Sequence, residues 1–140
     1  MYQIRTEAHF DAAHFLAGYE GKCRNLHGHR WRVVVEVAAS EVIADGSARG
    51  MVEDFTHLKA CLKRIADGFD HALIYEAGSM REATVAALRE EGFRLAEVPF
   101  RPTSEHLAQD IFWRLRDSGE PVAAVTVYET PENSATYRKD

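Results

Sequence analysis

A chain of 140 residues is long enough for one domain with a real hydrophobic core, and nothing in that length asks for a second. Lys and Arg total 17 against 22 Asp and Glu, and the net charge of −5 argues against a general binder of nucleic acid or anionic membranes, while leaving room for a local anion site. No apolar stretch is long enough to span a bilayer, Met1-Tyr-Gln-Ile-Arg-Thr-Glu7 carries charge too early for a signal peptide, and two cysteines make no disulfide framework; the expectation is a cytoplasmic protein with free thiols.

Tyr2 to Ala13 places apolar residues at Tyr2, Ile4, Ala8 and Phe10, close to the period of a strand with one buried face, and runs into Ala12-Ala13-His14. Arg30 to Ala39 alternates and is rich in β-branched residues, so it predicts a second strand with His27 and His29 at its start. After the turn-prone Asp45-Gly46-Ser47, the stretch Gly50-Met-Val-Glu-Asp-Phe55 predicts a third, short strand leading into a helix. In that helix Leu58, Leu62, Ile65 and Phe69 recur at helical spacing, with Asp54 or Thr56 as its cap. Ser79-Met-Arg-Glu82 has capping-box spacing and Gly92 suits a helix C-terminus, so a second helix is expected between them. Phe93 to Phe100 predicts a short strand. Pro102-Thr103-Ser104-Glu105 opens a third helix, with Leu107, Ile111 and Leu115 on one face and Gly119 just past its end. Val122 to Glu129 and Ser134 to Arg138 predict a hairpin. Hairpin-like pairs rather than strict β-α-β units point to an α+β fold, an antiparallel sheet with helices on one face.

Residues two apart on a strand face the same side, so His27 and His29 direct two nitrogens to one point. His14 is the best third ligand, because Ala12 and Ala13 leave space around its ring. Three imidazoles make an open zinc site; each histidine taken singly reads as a core or surface residue, and it is their joint placement that favours metal. Cys23, flanked by Lys22 and Arg24, is either a fourth ligand that closes the site or a thiolate nucleophile or base beside it. Asp70-His71 is an acid/base pair or a solvated helix end. Glu129 shares its face with Val125 and Val127, which aims a carboxylate into a site or interface.

These motifs, with Pro102-Thr-Ser-Glu105 and Tyr128-Glu-Thr130, run in an order that resembles the 6-pyruvoyltetrahydropterin synthase family across nearly the whole chain. The three residues between Cys23 and His27 resemble the bacterial 6-carboxytetrahydropterin synthase branch; pyruvoyl-forming members have a longer gap. The resemblance implies the tunnelling fold: a four-stranded antiparallel sheet with helices on one side, three subunits closing a barrel, and two trimers stacking as a hexamer with active sites between subunits. It implies zinc on His14, His27 and His29, Cys23 as base, Asp70 and His71 as proton relay, and Glu129 as anchor of a pterin. The implied reaction converts 7,8-dihydroneopterin triphosphate and water into 6-carboxy-5,6,7,8-tetrahydropterin, acetaldehyde and triphosphate, an early step towards queuosine and related 7-deazaguanines. Thr103 and Ser104 are further candidates for the ring, and Lys22 and Arg24 for the triphosphate. The segment Glu76 to Arg101 is longer than in compact bacterial members. The competing readings are a pyruvoyl-forming synthase, a zinc hydrolase, against which stands the lack of a His-Glu-x-x-His helix, and a closed structural zinc site.

Overall fold

The computed structural model describes residues 1–139. Two long strands, β1 (Tyr2–His14) and β2 (His27–Ala39), pair antiparallel along their whole length, from Tyr2 opposite Ala39 to His14 opposite His27. The loop joining them holds a 3-10 turn at Lys22–Arg24. Helix α1 (Phe55–Phe69) follows, then β3 (Ala72–Glu76), α2 (Glu82–Glu90), β4 (Leu95–Val98), α3 (Ser104–Asp117), β5 (Val122–Thr130) and β6 (Asn133–Arg138).

The fold is α+β, with six strands in the order β4-β3-β1-β2-β5-β6 in place of the four expected. The antiparallel expectation holds for β1-β2-β5-β6; β3 lies parallel to both β1 and β4, which makes the sheet mixed. The long Glu76 to Arg101 segment is thereby explained: α2 is the crossover that a parallel pair requires, and it carries the sheet out to β4. Within the chain, β1 meets β3 only at Ala12–His14, so its edge from Tyr2 to Asp11 has no strand partner among the described residues.

Two local expectations are corrected. Gly50–Phe55 is not a strand, because its backbone groups bond within their own loop: Ile43 N–H donates to Met51 O and Gly50 N–H to Ile43 O, both over 2.8 Å. Ser79 does not cap α2; its hydroxyl donates to Glu76 O over 2.6 Å, and Arg81 occupies the cap position. Other ends form as their residues dictate. The Asp54 carboxylate accepts from Thr56 N–H at α1, and Thr103 Oγ1 from His106 N–H at α3. Gly92, at φ 84°, donates to Arg89 O while Phe93 donates to Leu88 O, the paired bonds that close a helix on a left-handed residue.

Phe10, Trp31, Val33 and Val35 on the sheet pack against Leu58 and Leu62 of α1 and Leu107 and Ile111 of α3, all at most 1% exposed. Each such side chain contributes roughly 1.5–3 kcal/mol on burial. The same face of β1 and β2 continues past Phe10 and Trp31 to His14, His27 and His29, so the core ends where the imidazoles begin. Helix α2 buries none of its residues fully. It borders a cavity of about 570 Å³ beside Asp11, Ala13, Leu73 and Leu95.

Candidate metal centre and active site

Three imidazoles and one carboxylate converge at the end of the β1–β2 ladder. Donor atoms of His14, His27, His29 and Glu129 all lie within 4.8 Å of one another. His14 is fully buried, with its Nδ1 2.8 Å from Pro102 O just ahead of α3. His27 Nδ1 lies 2.7 Å from Asn25 O. A carbonyl only accepts, so each Nδ1 carries the proton and each Nε2 is left as a lone pair. Those two Nε2 atoms are 3.1 Å apart, and Glu129 Oε1 stands 3.2 Å from that of His14 and 3.4 Å from that of His29. His29 Nε2 is buried with no hydrogen-bond partner among the described residues.

Lone pairs crowded in this way repel unless a positive charge lies among them. A proton is a poor candidate, since burial above all, with the neighbouring imidazoles, holds His14 and His29 below their ordinary 6.5 against the opposing pull of the Pro102 carbonyl on His14 and of Glu129 on both. A divalent cation among the three imidazoles relieves that repulsion, and three histidine nitrogens are a set that zinc accepts, with the Glu129 carboxylate standing beside them. The backbone carbonyls on His14 and His27 fix tautomer and ring orientation as outer partners of metal-bound histidines do. Trp31 stands edge-on to His14 and His29, with ring centroids at 4.9 and 5.4 Å, and its Nε1–H donates to Ala12 O. It walls the imidazoles off from the core.

Glu129 stands where the β5–β6 register shifts between Tyr128 and Thr130. A bulge re-aims the side chain it carries. Alternation with Val125 and Val127 placed Glu129 on the right face; its approach to the histidines was not legible, since it depends on the bulge and on β5 pairing with β2. Gly28 opposes Ala13, and a Cβ there would lie 3.3 Å from Ala12 O, so the glycine lets the two strands close at the site.

Asp70 and His71 follow α1. Asp70 Oδ1 accepts from the Asp11 N–H over 2.9 Å and Oδ2 lies 2.9 Å from His71 Nδ1, while His71 N–H donates to Asp11 O over 2.6 Å. First the Asp11 amide and then His71 hold the Asp70 carboxyl below its ordinary 3.8. His71 takes φ 58°, a left-handed conformation that a non-glycine residue seldom adopts. Its side chain is exposed and borders the same cavity as His29, together with Leu26, Phe93 and Arg94.

Cys23 is half-buried in the 3-10 turn, where its carbonyl accepts from Leu16 N–H, and it does not join the four-donor cluster. Lys22 and Arg24 are exposed and line a separate open hollow with Tyr19 and Asn25. Thr103 is committed to capping α3, and Ser104 Oγ donates to Glu105 over 3.2 Å.

A family model described as 6-pyruvoyl tetrahydropterin synthase matches residues 3–140. A 6-carboxy-5,6,7,8-tetrahydropterin synthase of Haemophilus influenzae is 38% identical, the match covering 99% of this chain and 100% of the relative. A protein of the same name from Synechocystis is 36% identical, covering 98% and 93%. Among solved structures, the 6-pyruvoyl tetrahydropterin synthase of Caenorhabditis elegans is similar with a TM-score of 0.70 and 26% identity, covering 99% of this chain and 96% of that one. An uncharacterized protein from Wolinella succinogenes shares the fold with a TM-score of 0.77 at 24% identity, covering 99% and 98%.

Proposed function

We propose that this chain, which belongs to the 6-pyruvoyl tetrahydropterin synthase family, is a zinc-dependent 6-carboxy-5,6,7,8-tetrahydropterin synthase. It takes 7,8-dihydroneopterin triphosphate and water to 6-carboxytetrahydropterin, acetaldehyde and triphosphate, a lyase reaction that feeds 7-deazaguanine synthesis. The observation that carries this reading is the convergence of two imidazole lone pairs and a carboxylate beside a third imidazole, in a chain whose relatives bear the name of that enzyme. The three-residue gap between Cys23 and His27 supports the carboxy branch over the pyruvoyl one.

His14, His27 and His29 hold the zinc, which when bound supplies a Lewis acid at the substrate side chain. Cys23 takes a proton from that side chain, and His71, its Nδ1 proton held by Asp70, offers Nε2 for return of a proton. Glu129 binds the planar guanidine-like edge of the pterin, which presents two N–H donors to one carboxylate. Thr103 and Ser104 line the ring as weaker contacts, and Lys22 and Arg24 meet the triphosphate. The unpaired β1 edge and the outer edge of β6 are where copies join into a barrel, and the reading expects a trimer or a hexamer of two trimers. No described helix is long and apolar enough to cross a membrane.

The zinc-loaded protein is incubated with 7,8-dihydroneopterin triphosphate and the pterin and two-carbon products are identified. Acetaldehyde with 6-carboxytetrahydropterin is expected. A pyruvoyl product without acetaldehyde overturns the branch, and no turnover overturns the catalytic reading in favour of a structural zinc site.

A further inference from the structure

A second set of metal-binding donors lies away from the imidazole cluster. His57 and Cys61 are four residues apart and share one face of α1, and Glu120 comes to them from the turn after α3. Their donor atoms lie within 4.8 Å of one another. His57 Nδ1 is hydrogen-bonded to Glu120 Oε1, Cys61 Sγ is 3.9 Å from His57 Nε2, and Arg64 Nη2 donates to Cys61 Sγ over 3.3 Å.

The carboxylate of Glu120 is what makes this more than a surface cluster. Its side chain is 1% exposed, its Oε1 faces His57, and its Oε2 has no hydrogen-bond partner among the described residues. An acid buried without full pairing is costly unless it meets a cation. Glu53 Oε2, from the loop ahead of α1, is a second buried carboxylate oxygen without a partner. Neither the three-imidazole centre nor the Asp70–His71 pair uses any of these residues.

We infer that His57, Cys61 and Glu120 form a second cation site, for a divalent ion of the zinc class. Mixed nitrogen, sulfur and oxygen donors select zinc or cobalt over magnesium or calcium, which prefer oxygen alone. Bound there, the ion clips the first turns of α1 to the chain between α3 and β5. Its role is structural.

The test uses the full chain with His27→Ala and His29→Ala, which removes the imidazole centre and so separates this inference from the reading of function above. The protein is loaded with Co²⁺, freed of excess ion, and examined by elemental analysis and by its thiolate-to-cobalt charge-transfer absorption. One retained equivalent with that absorption is expected, both lost on adding Cys61→Ser or Glu120→Gln and both kept on adding Cys23→Ser. The exposed His57→Gln, in the otherwise natural chain, lowers the bound cobalt by one equivalent and stands in should a buried substitution unfold the protein. Failure to retain cobalt, or an absorption that follows Cys23 instead of Cys61, overturns the site.

Discussion

Asp70 and His71 are adjacent in sequence and still hydrogen-bond side chain to side chain, Oδ2 to Nδ1 at 2.9 Å, because His71 turns back at φ 58°. That backbone conformation costs about 1–3 kcal/mol in a non-glycine residue. It is held by Asp11, whose N–H and C=O bind the Asp70 carboxylate and the His71 amide.

Asn tolerates the left-handed region better than most residues and cannot relay a proton, so His71→Asn separates the two roles of this position. Turnover should fall by about 10²- to 10⁴-fold, while the urea unfolding midpoint stays level or rises. An active His71→Asn enzyme would remove His71 from the chemistry.

The pair also sets an acid dependence of stability. The folded-state carboxyl of Asp70 is held below its ordinary 3.8, so its contribution is present above that value and is lost as pH falls through the lower folded-state one. Asp70→Asn should therefore flatten stability against pH on the acid side. Unfolding midpoints measured on both sides of pH 3.8 in the two proteins check this; parallel curves would contradict it.

Removing the metal should destabilise the fold, since an ion that binds only the native state adds about 2.7 kcal/mol at a free concentration 100 times its Kd. Melting of the zinc-loaded protein against chelator-treated protein reads the difference. His29→Ala should melt with a smaller response to zinc than the natural chain, the remainder coming from the site at His57, Cys61 and Glu120.

Cys23→Ala should leave zinc content unchanged, because Cys23 stands outside the four-donor cluster. Turnover should nonetheless fall by about 10²- to 10⁴-fold. Zinc lost together with activity would make Cys23 a ligand.

Trp31→Ala should cost about 3–5 kcal/mol, measured by equilibrium unfolding, because the side chain is 0% exposed and its removal opens a cavity between Phe10 and the imidazoles.

Much of this was legible where side-chain period and local chemistry agree. The alternation of β1, β2 and β5 and the heptad-like run Leu58, Leu62, Ile65, Phe69 mark their elements and their buried faces. Ala72–Glu76 was missed because, with neighbours on both edges and three of five residues buried, it shows no clean alternation. Gly50–Phe55 has strand-like composition, yet its hydrogen bonds are taken by Ile43 and the local turn. At the site, strand spacing joins His27 to His29, the small residues ahead of His14 point to it as the third, and the three rings converge. The left-handed turn at His71 and the bulge at Glu129 are tertiary outcomes with no local signature. His57 and Cys61 carry no such signal in the sequence, since the acid that unites them is 63 positions from His57.

His14 and His27 form the last pair of an antiparallel ladder that starts at Tyr2 and Ala39. Side chains on a strand alternate strictly, so a slip of one residue would turn all of β1 over and send His14 to the opposite face of the sheet from His27 and His29. Metal uptake at the imidazoles is therefore a gauge of strand alignment: a chain zipped in the wrong frame keeps its hydrogen bonds and loses its affinity for the ion. Zinc supplied during folding would reward only the correctly aligned chain.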